Sequence, residues 1–131
     1  AGITRFMHRI AMGYVEYFNK KNERTGRLFE GPFKAVLVKR DAQLEHLPRY
    51  IHLNALDLTD FNWRAGIIQD WSGAEKFLEE YQWSSHNVYL GKLQQLPVVN
   101  PSIMLKIFNT PEKYKNFLRQ WSSRDLDYVV S

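Results

Sequence analysis

The stretch DAQLEHLPRYIHLNAL, residues 41–56, combines a predicted helix with a polar pair near its end. Asp41 is a good N-cap for a helix that begins with the residues after it. The ring of Pro48 removes one backbone donor and clashes with the carbonyl four residues earlier, so we expect a kink or a fresh helix start there. Tyr50 and Asn54 are four residues apart, which places both side chains on one helical face. Periodicity alone favours Tyr50 as a half-buried packing residue.

Apolar spacing predicts further helices on both sides of this stretch. An amphipathic helix is predicted over residues 3–21, with Gly26 as its terminator. Thr110 and Pro111 form an N-cap followed by a first helical residue. The other predicted elements are a loop over 58–73, an extended segment over 96–101, and helices over 74–81, 86–90, 102–109 and 112–122.

One strand is predicted, over residues 33–39, because this segment is rich in β-branched and aromatic residues and follows the bend at Gly31-Pro32. A lone strand needs a partner for its backbone groups. Either other strands escape detection or the partner lies outside this chain. An unpaired strand also presents an open edge, which favours a homodimer that continues the sheet between subunits.

Composition excludes several classes of protein. With 131 residues, of which 44% are hydrophobic and 15% aromatic, the chain fits a single folded domain rather than a disordered one. It has no cysteine, which excludes disulfides and thiolate metal sites. Apolar runs such as AVLV at 35–38 are too short to span a bilayer, and no signal-peptide pattern is present. We therefore expect no membrane partner and a cytoplasmic location.

The positive charge is concentrated in the first half of the chain. Residues 1–65 hold eleven Lys and Arg against seven Asp and Glu, and residues 66–131 hold seven of each, so the whole net charge of +4 lies in the first half. Such a surface typically binds phosphate backbones, although a solvated basic face is an equally good explanation. The candidate DNA-binding residues are Arg27, Lys34, Lys39, Arg40 and Arg49.

Short catalytic motifs are absent from the sequence. It has four histidines but no His-Glu-x-x-His pattern, so local spacing does not assemble a complete metal site. It also has neither a glycine-rich phosphate loop nor a Gly-x-Ser-x-Gly elbow. The polar pair on the Tyr50 helix remains the best candidate for chemistry.

An ordered set of motifs resembles one family. RYIHLN at 49–54 is preceded by GRLFEGPFKAVLVKRDAQL and followed by YQWSSHNVYLG, and the tail MLKIFNTPEKYKNFLRQ is similar to the C-terminal extension of longer members. Over nearly its whole length the chain thus resembles the REP-associated tyrosine transposases and their insertion-sequence relatives. The resemblance implies a ferredoxin-like α+β fold, here mostly helical, because the chain supplies the second half of that domain and a helical extension.

The resemblance also implies a reaction. Members of the family cut single-stranded or hairpin DNA with a tyrosine, which maps to Tyr50, and form a 5′-phosphotyrosine bond while releasing a 3′ hydroxyl. A Mg²⁺ or Mn²⁺ ion polarises the scissile phosphate. Its ligands in the family are a His-hydrophobic-His pair and a polar side chain that maps to Asn54, whereas His52 lies off this face.

The chain departs from the family pattern in three places. Two of the three metal ligands are missing, because no His-hydrophobic-His pair precedes the first helix. Pro48 interrupts a helix that the family keeps continuous, and Ala55 replaces a common proline. We therefore expect residues 1–57 to be the C-terminal part of the catalytic domain and residues 58–131 a helical extension. We further expect that this chain alone does not cut DNA.

Three functions stay open on the sequence. The first is the tyrosine-bearing part of a DNA strand transferase. The second is a non-catalytic module, derived from a transposase, that binds single-stranded or hairpin DNA or RNA. The third is a helical protein-interaction domain whose basic half is incidental. Salt-sensitive binding to hairpin DNA would separate the third from the first two.

Overall fold

The computed structural model describes residues 2–93 and 98–121, and every regular element in these ranges is a helix. The mostly helical class is therefore confirmed. Because none of the described residues belongs to a strand, the ferredoxin-like sheet of the predicted α+β class is not observed. Two compact units divide the chain, Ala1–Leu37 and Val38–Ser131. None of the described helices is long and apolar enough to cross a membrane.

The first unit contains the long helix α1, Gly2–Lys21, as the periodicity predicted. None of its side chains is buried, so its apolar face is exposed. The helix ends before Gly26, and the turn that follows is closed by two asparagines. Asn22 donates to the carbonyl of Phe18 at 2.8 Å, and Asn19 donates to that of Gly26 at 2.9 Å. Gly26 has a φ of 93°, which an L side chain rarely adopts, so it shapes this turn.

The strand predicted over residues 33–39 is wrong, because this segment is irregular and fully on the surface. Val36 and Leu37 are 81% and 74% exposed. β-branched residues favour a strand where their side chains pack on a sheet and a neighbouring strand pairs with the backbone. None of the described residues forms a neighbouring strand along this segment, so composition alone does not make it a strand.

The second unit is built from five α-helices and two short 3₁₀ turns within the described ranges. The α-helices are α2 (Asp41–Leu53), α3 (Trp71–Glu80), α4 (His86–Tyr89), α5 (Ser102–Phe108) and α6 (Pro111–Arg119), and the 3₁₀ turns are Asn54–Leu58 and Trp63–Ala65. The predicted helices are confirmed with shifted ends, and the predicted loop over 58–73 contains the Trp63–Ala65 turn. Residues 98–101 of the predicted extended segment have no regular structure, and its first two residues lie outside the described part.

Helix α2 continues through Pro48 without a fresh start. The proline still removes one backbone donor from the helix. It is buried, together with Arg49, His52 and Leu53, so tertiary packing of this face keeps the segment helical. The N-cap position belongs to Arg40, and Asp41 lies in the first turn, where its negative charge interacts favourably with the helix dipole.

The core of the second unit lies between α2, the 3₁₀ turns and helices α3 to α6. Leu53, Leu56 and Leu78 are fully buried at its centre. The Trp63 and Trp121 rings lie 5.1 Å apart at one side of it. Residues 41–57 thus share a core with residues 58–121. The predicted division after residue 57, between the catalytic domain and the helical extension, stays a prediction.

Candidate functional site

Tyr50 and Asn54 lie one turn apart at the C-terminal end of α2. The backbone N–H of Asn54 donates to the Tyr50 carbonyl, which keeps the helical spacing up to residue 54. The half-buried Tyr50 ring packs edge-on against Trp63, with 5.8 Å between the ring centroids. Both side chains reach Arg64, whose guanidinium carbon lies 5.8 Å from the Tyr50 ring and whose Nη2 donates to Asn54 Oδ1 at 2.9 Å. The predicted shared face is confirmed.

Asp57 completes the group, which we call the Tyr50 cluster: Tyr50, Asn54, Asp57, Trp63 and Arg64. Arg64 Nη2 and Nε donate to the two oxygens of Asp57 at 2.6 and 3.2 Å. The hydrogen bond from Arg64 is the main reason that the pKa of Asp57 is lowered. Hydrogen bonds to Asp57 and then to Tyr50 raise the pKa of Arg64. The cluster therefore holds a fixed cation beside the phenol.

A buried tryptophan anchors this arginine. Trp63 is 1% exposed, and its Nε1 donates to Asp57 Oδ1 at 2.7 Å. Its carbonyl accepts a hydrogen bond from Trp121 Nε1 at 2.8 Å. Gly66, with a φ of 86°, caps the end of the 3₁₀ turn two residues after Arg64. Since its neighbour in sequence is locked into the core, the Arg64 backbone is held beside α2.

The oxygens near Tyr50 do not fit a divalent ion in this arrangement. Asn54 Oδ1 and both oxygens of Asp57 already accept hydrogen bonds from Arg64. A metal ion on the same oxygens would lie next to the guanidinium, and the two positive charges would repel each other. In addition, Mg²⁺ requires near-octahedral oxygen coordination. The described ranges contain no group of three or more His, Cys, Asp or Glu residues that could hold a metal.

Four of the five predicted DNA-binding residues are exposed. Arg27 and Lys34 lie in the first unit, in the irregular segment after α1. Lys39 and Arg40 lie in the second unit, directly before α2. The exposure of these four residues leaves a role in phosphate binding open for each of them.

The fifth, Arg49, is buried between α2 and α6 and is only 2% exposed. Its guanidinium stacks on the Phe117 ring at 3.9 Å, and its Nη1 donates to the Phe117 carbonyl at 2.7 Å. Its Nη2 lies 2.6 Å from His46 Nδ1. The structure thus places Arg49 in the core, where its contacts join two helices.

Sequence reasoning missed a second polar group, which is buried. His52 is 1% exposed, and its two ring nitrogens contact the Tyr114 hydroxyl and, at 2.7 Å, Ser85 Oγ. Burial lowers the pKa of His52 to about 3 and that of His86 to about 4, although the charge of Glu79 acts in the opposite direction on His86. A neutral imidazole donates through one nitrogen and accepts through the other, so it satisfies both hydroxyls. His52 therefore joins α2 to α6 and to the motif around Ser85.

One open cleft of about 490 Å³ contains none of the predicted site residues. Its walls are apolar and aromatic apart from one arginine, and they consist of Gly66, Ile67, Ile68, Trp71, Arg119 and Trp121. Arg119 Nη2 donates to Glu75 Oε2 at 3.0 Å, so the charge in this cleft is already paired.

Nothing in the sequence singled out Arg64. It lies ten residues beyond Asn54, in the middle of the predicted loop over 58–73, and no helical period connects the two. Searches against protein-family models, curated proteins and solved structures found no match for this chain. The sequence motifs and the geometry of the Tyr50 cluster are therefore the basis on which its function is proposed.

Proposed function

We propose that this chain is the tyrosine-bearing part of a cytoplasmic DNA transposase that cuts single-stranded or hairpin DNA. One observation carries the proposal: Tyr50 and Asn54, the two residues that match the family pattern, share a face and converge on one cation, Arg64. The motifs that surround them in sequence are the second support. The ferredoxin-like domain that the resemblance implies belongs to the same proposal. So does the homodimer, although the strand edge that favoured it is not observed among the described residues.

The proposed reaction is a transesterification at one phosphodiester. The Tyr50 oxygen bonds to phosphorus as the bond from phosphorus to the 3′ oxygen breaks. The phenol proton is balanced by the proton that the 3′ hydroxyl gains, so the step needs no co-reactant. The product is a 5′-phosphotyrosine, and attack by a DNA hydroxyl on it would rejoin the strand. A phenol has a pKa near 10 in model peptides, so at neutral pH it is protonated and a weak nucleophile. A positive charge beside the phosphate stabilises the charge that develops there and so lowers the barrier.

The first test measures binding. We expect this chain to bind hairpin DNA with an affinity that falls as the salt concentration rises, because phosphate contacts release counterions. Fluorescence anisotropy of a labelled hairpin, at salt concentrations from about 50 to about 200 mM, measures how the affinity depends on salt. A duplex of the same length is the control. An affinity that does not depend on salt would contradict the proposal and favour a protein-interaction domain.

The second test measures DNA cleavage by the protein that the gene encodes. We expect a covalent adduct with hairpin DNA in Mn²⁺ that survives denaturing electrophoresis and maps to Tyr50 by mass spectrometry. Tyr50→Phe should abolish it, because the attacking oxygen is lost, and EDTA shows whether the reaction needs a metal. An adduct that persists in Tyr50→Phe would refute the assignment of the nucleophile.

The non-catalytic module is the second candidate. The observation that favours it is the hydrogen bond from Arg64 to Asn54 Oδ1, which brings a positive charge to the oxygen expected to bind the metal. Hairpin binding by the natural gene product without any covalent adduct would select this alternative over a strand transferase.

A further inference from the structure

Arg64 has donors to spare although it is held on two sides. Asp57 and Asn54 together accept from Nε and from Nη2. A guanidinium has five N–H donors, so the two donors of Nη1 remain for other partners. Within the described part of the chain, no side chain accepts a hydrogen bond from Nη1, and the Tyr50 ring lies 5.8 Å from the guanidinium carbon. Both donors of Nη1 are then open to a ligand beside the phenol.

The arrangement is both rigid and accessible. The side chains of Arg64 and Asp57 are 44% and 45% exposed, so solvent and ligands reach the pair. The guanidinium carbon also lies 4.4 Å from the Trp63 ring, which is a favourable cation–π distance. The bonds to Asp57 and Asn54 hold its plane in one orientation. A planar guanidinium held this way matches the geometry of phosphate oxygens.

We propose that Arg64 is the phosphate-binding residue of the Tyr50 cluster and that Asn54 and Asp57 are positioning residues that orient it. This inference rests on the proposed function, because it names Arg64 as the residue that binds the phosphate cut in the proposed reaction. The ligand is a DNA phosphodiester, which binds through Nη1 next to the Tyr50 oxygen. Arg64 thereby supplies the positive charge beside the phosphate without a metal. Asn54 contributes by orienting the guanidinium of Arg64.

The negative charge of Asp57 limits the affinity for one isolated phosphate, because it offsets part of the charge of Arg64. For this reason the test follows the arginine directly. With ¹⁵N-labelled arginine, the Nε–Hε resonance of Arg64 is assigned by its loss in Arg64→Gln. A thymidine dinucleotide, which carries one phosphodiester, is then titrated in the presence of EDTA. Thymidine alone is the matched control, because it stacks on aromatic rings but has no phosphate.

We expect the dinucleotide, and not thymidine, to shift the Arg64 resonance in a saturable way and to leave that of Arg119 in place. Arg119 is the matched residue because it also pairs with a carboxylate, that of Glu75, and its side chain is 50% exposed. A resonance that the dinucleotide leaves unmoved, or that thymidine moves equally, would overturn the inference.

The same variants are then compared in hairpin binding. Arg64→Gln should weaken binding about tenfold and reduce the slope of log affinity against log salt by about 0.7, the loss of one single-strand phosphate contact. Arg64→Lys should not restore the affinity, since an ammonium cannot bond Asp57, Asn54 and a phosphate in one plane. Arg119→Gln should leave both quantities unchanged. Unfolding midpoints verify that each variant is folded.

The two hypotheses fail in different ways. If the hairpin binds but Arg64→Gln changes neither its affinity nor the slope, the inference is overturned and the proposed function survives. If the dinucleotide shifts Arg64 but the hairpin does not bind, the phosphate site stands and the DNA function fails.

Discussion

The guanidinium of Arg49 lies between two helices, where it stacks on Phe117 and donates to the carbonyl of the same residue. Arg64, in contrast, is held at the surface by Asp57 and Asn54. Arg49 belongs to α2 and Arg64 lies beside its C-terminal end, and local sequence does not tell the two arginines apart. Burial decides which of the two can meet a phosphate, because a guanidinium enclosed by protein is already bonded and has no access to DNA.

Arg49→Lys is expected to destabilise the second unit by about 2 kcal/mol, because an ammonium can neither stack as a plane on Phe117 nor bond two partners in one fork. Urea unfolding followed by tryptophan fluorescence measures this, since all four tryptophans lie beyond residue 38. Arg5→Lys on the exposed face of α1 is the control. Equal midpoints for Arg49→Lys and the parent chain would contradict a structural role for Arg49.

At the scale of single elements, side-chain caps mark where α3 and α6 begin. Helix α6 begins as predicted, with the Thr110 side chain accepting from the backbone N–H of Lys113 at 3.2 Å. Asp70 caps α3 by accepting from Gly73 N–H at 2.9 Å. A Cβ on Gly73 would lie 2.3 Å from Asp70 Oδ2 and 3.1 Å from the Phe61 ring. Glycine at this position is therefore needed for the cap.

Two glycine substitutions should have opposite effects. Gly73→Ala is expected to destabilise the second unit by about 1 kcal/mol, the value of a lost N-cap, because the new methyl group displaces Asp70. Gly13→Ala meets nothing within 4 Å and lies inside α1, so it should increase helicity. Urea unfolding followed by tryptophan fluorescence measures the stability of the first variant. Far-ultraviolet circular dichroism measures the helix content of the second. A stabilised Gly73→Ala would show that the cap is unimportant.

At the scale of the whole molecule, the second unit has a core with two buried histidines, and the first unit exposes the apolar face of its helix. His52 satisfies two hydroxyls, whereas neither ring nitrogen of His86 has a hydrogen-bond partner among the described residues. Both must stay neutral in the folded state. The second unit is therefore expected to be sensitive to acid.

Stability should fall on acidification from pH 7 to pH 5. The folded-state pKa values of about 3 and about 4 lie below the ordinary value of 6.5, so the unfolded chain binds more protons in this interval. Stability is thus complete above about pH 6.5 and is lost by about 1 kcal/mol per pH unit for each histidine below it. Glu79, whose pKa its lysine partners lower to about 2, contributes stability that is lost only below about pH 4.5.

Urea unfolding at pH 7 and pH 5 measures this loss in three variants. His86→Leu should unfold at an equal or higher urea concentration at pH 7 and should lose less stability at pH 5, because it removes an unpartnered buried imidazole. His52→Leu should be about 2 kcal/mol less stable, because it leaves two hydroxyls unpaired. His8→Gln on α1 is the control. A pH dependence of His86→Leu identical to that of the parent chain would refute this explanation.

The sequence by itself determined where the helices lie, how α6 is capped and which two residues share the Tyr50 face. These features follow from local backbone preferences and from the helical period, which act over a few residues. It also indicated a strand over 33–39, because β-branched composition predicts a strand whether or not a neighbouring strand is present to pair with it.

Only the tertiary structure decided which side chains meet. His52 contacts Ser85 and Tyr114 across 33 and 62 residues, Arg49 reaches Phe117 across 68, and Arg64 returns across ten to Asn54. No local preference encodes such pairs. They follow from burying Trp63, Leu53 and their neighbours in one core, which turns each polar group toward the partner that satisfies it and leaves Arg64 beside Tyr50.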